Sequence, residues 1–203
     1  MPTAEYLAGL DLGQSADFSA LAVLERTKAP EPEDPGREVS RYAVRHLERF
    51  PLGTPYTEVC DRMVKLFAAP PLADGMLVVD QTGVGRPVVD LLRRSGLRAY
   101  VRPVTITAGH RANRDERGGW LVPKKELVST LQVLLQARRI KVAPSLPEAE
   151  TLVREMTEFR VKITLAANET FGAWREGSHD DLVLAVAVAA WWGERRRTEF
   201  RIW

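Results

Sequence analysis

An α/β fold with a central mixed sheet is the class this sequence predicts, and the order of its apolar segments predicts it. Three strand-like segments open the chain, strands and helices then alternate, and helices close it. That order makes the first strand central. Five strands are expected in the sheet, the first three antiparallel, with helices flanking it. The 203 residues suit one domain covering residues 1–203, and 45% hydrophobic with 28% charged residues excludes disordered and fibrous classes.

Tyr6 to Leu12 reads as a buried strand, followed by a polar turn. Phe18 to Arg26 and Val39 to Phe50 are the next two strands, separated by a Pro/Glu/Asp-rich hairpin loop at 28–38. Thr54-Pro55 opens a helix whose stripe is Tyr56, Val59, Cys60, Met63, Leu66 and Phe67. Pro70-Pro71 ends it, and Met76 to Val79 is a short strand leading to Asp80. A glycine turn over 81–85 then delivers a helix from Pro87 to Ser95, closed by Gly96. Leu97 to Ile106 is the fifth strand, and 107–119 is a loop rich in glycine and arginine. Helices follow from Pro123 and over Leu146 to Phe159, after a short segment at Ile140 to Val142. Val161 to Leu165 and Thr170 to Trp174 suggest a β-hairpin. The last helix, Asp180 to Trp192, is apolar on all sides, and Gly193 should end it.

The net charge of +2 conceals a segregation. Residues 93–125 carry nine Lys or Arg against two acids, a net +7, leaving about −5 on the remainder. Such a basic segment fits a phosphate-facing surface, and Arg111, Arg114, Arg117, Lys124 and Lys125 are its candidate contacts to double-stranded DNA. A solvated basic face is the plainer explanation. The longest apolar run, Leu182 to Trp192, has eleven residues and is too short to span a bilayer. No secretory signal opens the chain, so a cytoplasmic location without membrane contact is expected. The single Cys60 permits no intrachain disulfide, and three dispersed histidines offer no zinc cluster. Any metal must take carboxylate oxygens, which suits Mg2+ or Mn2+.

Asp180 and Asp181 stand at the mouth of the buried last helix, where unpaired carboxylates cost several kcal/mol. Either could be an N-cap, but both cannot cap one helix. Asp11 and Asp80 end two apolar strands, where sites of open α/β sheets gather. Four converging acids repel unless a cation neutralises them. Two divalent ions about 3.5 to 4 Å apart would do so, and would activate water and stabilise a leaving oxygen. Asp17 is a weaker candidate because it could instead cap a local turn, and His179 could orient a water or be an exposed loop histidine.

Gly-Leu-Asp11-Leu-Gly with Asp17, Val-Val-Asp80-Gln-Thr-Gly-Val-Gly, Val122-Pro-Lys124-Lys125 and His179-Asp180-Asp181-Leu-Val-Leu-Ala together resemble the nuclease domain of bacteriophage large terminase subunits, within the RNase H/RuvC superfamily. The resemblance covers nearly the whole chain. It implies an RNase H-like fold and two-metal DNA hydrolysis, with Asp11, Asp80 and Asp181 as principal ligands and Asp180 and Asp17 in support. It also implies an ATPase motor, a small terminase and a portal as partners, and the host cytoplasm as location. No Gly-x-x-x-x-Gly-Lys-[Ser/Thr] motif is present, since Gly83-Val84-Gly85-Arg86 lacks the lysine. An ATPase domain is therefore not expected on this chain.

Three other classes compete. A RuvC-like junction resolvase shares the metal logic. The actin and sugar-kinase ATPases also begin with Asp-x-Gly on a first strand, but need two such domains. A catalytically inactive nucleic-acid-binding module would not need all four acids.

Overall fold

The computed structural model describes residues 4–13, 17–83, 86–166 and 180–199, with side chains to 158 and 195 in the last two segments. In chain order the elements are β1 (Glu5–Asp11), β2 (Ala20–Pro30), β3 (Glu38–Arg49), α1 (Tyr56–Leu66), β4 (Gly75–Asp80), α2 (Arg86–Arg94), β5 (Ala99–Thr107), β6 (Asn113–Arg114), β7 (Trp120–Pro123), α3 (Lys124–Gln136), β8 (Ile140–Val142), α4 (Ala149–Ala166) and α5 (Asp181–Glu199). The strands form one mixed sheet ordered β6-β7-β5-β4-β1-β2-β3-β8. As expected, β1 is interior and the first three strands are antiparallel neighbours. Strands β4, β5 and β7 continue from β1 in parallel.

The sheet has eight strands rather than five. The three additions, β6, β7 and β8, have two, four and three residues. Runs that short carry too little alternation to be read as strands. Val161 to Leu165, expected in a hairpin, continues α4 instead, while Thr170 to Trp174 lies outside the described residues. Thr54 does not cap α1: its hydroxyl donates to the Pro51 carbonyl, and Pro55 stands at the cap position.

Strand parity assigns each residue of β1 and β4 to one of two cores. Leu7 and Val78 join the face covered by α3, α4 and α5, with Leu127, Leu152 and Val186. Ala8, Leu10, Leu77 and Val79 turn to the opposite face, where α1 and α2 bring Val59, Met63, Val89 and Leu92. Asp11 and Asp80 therefore share the α5 face with Leu7 and Val78. At Gly9, on that same face, a Cβ would lie 1.9 Å from the Ala185 carbonyl oxygen. Glycine here lets α5 touch the β1 backbone. Gly193 is likewise a close approach, with a Cβ meeting the Tyr42 hydroxyl at 2.6 Å, and α5 runs on past it to Glu199.

Candidate active site

The site lies where β1 and β4 end. Asp11 and Asp80 are register partners on parallel neighbouring strands, both buried. Each carboxyl lies close enough to shift the proton affinity of the other. Burial, and then the charges of Asp80, Asp181 and Asp180, hold the Asp11 carboxyl well above the usual carboxylate range. Asp80 is also raised by burial, but less freely, because Thr82 and Lys124 favour its ionised form.

Thr82 fixes the orientation of Asp80. Its backbone N–H donates to Asp80 Oδ1 at 2.8 Å, its hydroxyl donates to the same oxygen, and that hydroxyl accepts the Ile106 N–H at 2.7 Å. The Gln81 N–H donates to the Val104 carbonyl at 2.8 Å, which ties the turn to β5. Sequence reasoning missed Thr82, although Asp-x-Thr after a strand is the signature of a side-chain-stabilised turn.

The N-terminus of α5 supplies the second pair of acids. Asp181 is buried and Asp180 half-buried, and the charges of both act on Asp11. Asp180 accepts from Lys124 Nζ at 2.8 Å. Lys124 begins α3 directly after β7, whose end runs parallel to β5, and this brings an ammonium group to the acidic edge. The Asp180 side chain is turned to Lys124 rather than onto the end of α5. The Leu182 and Val183 N–H groups donate instead to Glu155 Oε2 of α4, at 3.0 and 3.2 Å. Glu155 is buried and paired with Arg49 at 2.8 Å. Burial, reinforced by the charge of Asp181, raises its carboxyl to about 7 against the opposing pull of the Val183 N–H and Arg49. Its sequence signal was a carboxylate three residues after Leu152, on the apolar stripe of α4.

The other candidates fall apart from this cluster. Asp17 is exposed and is not among the acids that weigh most on Asp11. His179 lies outside the described residues. Arg111, Arg114 and Arg117 are exposed on or beside the β6-β7 arm. That arm is ordered: Asp115 Oδ1 accepts the Arg117 and Gly119 N–H groups, and Arg114 lies 5.0 Å from the Trp120 ring centroid. Lys125 contacts His110 at 2.8 Å rather than the acids. Among the described residues, no group of three or more His, Cys, Asp or Glu side chains is placed so as to hold a metal ion.

A mixed sheet with acidic residues at adjoining parallel strand ends, packed against a buried helix that brings two more, matches the RNase H-like fold. No protein-family profile matches the chain. It is 26% identical over 184 residues, 91% of its length, to the large terminase subunit of Thermus phage G20c. The large terminase subunit of Thermus virus P23-45 shows the same identity and coverage. The chain spans about a third of the length of these curated relatives, 31% in each case. Among solved structures, it is similar to the large terminase nuclease of phage G20c, with a TM-score of 0.56 at 22% identity, covering 92% of this chain and 81% of that one. A second structure of that nuclease, with bound zinc, superposes with a TM-score of 0.53 over 92% of this chain and 80% of that one, also at 22% identity. The family resemblance carried by the four motifs thus extends to sequence similarity with terminase large subunits and to the fold of their nuclease domain.

Proposed function

We propose that this chain is a divalent-cation-dependent endonuclease domain that hydrolyses DNA phosphodiesters, as part of a terminase that cuts phage DNA during packaging. One observation carries the reading: two buried strand-end carboxyls, register partners on parallel strands, lie under the charge of a second acid pair, with a lysine ammonium beside them. Buried acids brought this close together call for positive charge among them.

The donor set fits the group. Asp11, Asp80 and Asp181 would hold the cations with Asp180 in support, and all-oxygen ligands favour Mg2+ or Mn2+. Zinc bound to the similar G20c nuclease supports divalent cation use. When bound, a pair of divalent cations supplies an activated water and stabilisation of the leaving oxygen. The chain's own residues do the positioning: Thr82 aims Asp80, and Lys124 places a positive charge beside the site. Arg111, Arg114 and Arg117 hold the DNA backbone from the β6-β7 arm, and such contacts position a duplex without reading its sequence. The ATPase motor, small terminase and portal are the partners this reading implies, in the host cytoplasm. Among the described residues no helix is long and apolar enough to cross a membrane.

Supercoiled plasmid incubated with the protein and Mn2+ or Mg2+ should become nicked and linear, and EDTA should stop the conversion. Intact plasmid across a full range of both metals would refute the reading. Charge reversal at Arg111 and Arg114 should lower the slope of log affinity against log salt by about 0.9 for each phosphate the arm no longer neutralises. An unchanged slope removes the arm from the interface.

A further inference from the structure

We propose that Glu155, held by Arg49, is a positioning residue for the acidic site, capping α5 from another helix so that the Asp180 carboxylate is not drawn back onto the helix end; this rests on the nuclease reading above. The backbone of Asp180 is already in the N-cap position, its carbonyl accepting the Leu184 N–H at 2.9 Å. An aspartate there ordinarily turns its own carboxylate back onto the second or third helical N–H. Those two groups belong to Leu182 and Val183, and Glu155 Oε2 accepts both. The Asp180 side chain is thereby released to Lys124.

Arg49 extends the arrangement to the other half of the site. Besides pairing with Glu155, its guanidinium lies 4.5 Å from the Phe18 ring centroid. The next residue, Phe50, donates its N–H to the Ser19 carbonyl at 2.9 Å, and the Ser19 hydroxyl accepts the Gly13 N–H at 3.2 Å. One chain of contacts therefore runs from the residues just after Asp11 to the start of α5. Without Glu155, Asp180 stands at the position from which an aspartate ordinarily takes those N–H groups, and a carboxylate that turns back to cap the helix is withdrawn from the site.

The test measures free Mn2+ by its paramagnetic resonance signal, titrated into the full chain without DNA. Glu155→Ala should weaken Mn2+ binding about 10- to 100-fold, the range for losing a residue that orients a ligand. Met63→Ala, which empties the core on the opposite face of the sheet, should lower the melting temperature and leave Mn2+ affinity unchanged. Should Glu155→Ala fail to fold, Glu155→Gln keeps one acceptor oxygen and should still lose several-fold in affinity. A Glu155 variant binding Mn2+ as the parent does, or a Met63→Ala loss of the same size, overturns the proposal. A parent that binds no Mn2+ overturns the cation reading instead. In that event hydrogen exchange still tests the cap, because the Leu182 and Val183 amides must exchange faster in Glu155→Ala than in the parent.

Discussion

Asp80→Ala should abolish DNA cleavage while leaving the fold intact. A cation site contributes several kcal/mol of charge stabilisation, and each 1.36 kcal/mol is a factor of ten, so a loss of about a thousandfold or more is expected. The subtler companion is Asp80→Asn. It keeps an oxygen for the Thr82 N–H and hydroxyl, and its NH2 can donate to Asp11. Cleavage should be lost just as fully. Yet the metal-free protein should melt higher at neutral pH, because a buried carboxylate beside Asp11 has become neutral. Relief of even ~1 kcal/mol moves the midpoint of a chain this size by about 2–4 °C. Plasmid conversion and thermal melts in EDTA measure the two effects together. Undiminished cleavage by either variant removes Asp80 from the site, and a lower melting temperature for Asp80→Asn contradicts the account of repulsion.

The second large effect is the pH dependence of stability, with its sign set by the same carboxyls. Burial, with the charges of neighbouring acids, raises Asp11, and burial raises Asp80 and brings Glu155 to about 7, whereas in the unfolded chain all three return to about 4. Between those limits the folded state binds more protons than the unfolded one, so stability falls as pH rises. In EDTA the protein should melt higher at pH 5 than at pH 8. Divalent cations should reverse the trend, since they bind the deprotonated acids and displace the protons. At a cation concentration 100 times its Kd the gain is about 2.7 kcal/mol, and it should be larger at pH 8 than at pH 5. A metal-free midpoint that climbs from pH 5 to pH 8 would show that the acids are not held against their charge.

Much of this arrangement was legible along the chain. Apolar runs ending in a single aspartate marked Asp11 and Asp80, because strand periodicity and strand ends are local properties. The apolar helix after Asp180-Asp181 marked the second pair for the same reason. The short strands β6, β7 and β8 were missed because strands of two to four residues exist only through their neighbours' hydrogen bonds. Gly193 was misread as a helix end, since its reason is the Tyr42 hydroxyl from a distant strand.

By itself, the sequence determined the class of fold, the acids and the chemistry they can support, all of which follow from residue type and period. Only the tertiary structure decided what each acid does with its hydrogen bonds. Glu155 reaches α5 from 27 residues away, and Lys124 reaches Asp180 from 56. Ligation, capping and pairing are all open to an aspartate. Which of them it takes depends on the partner that packing brings within three ångströms, and packing is not written in local order.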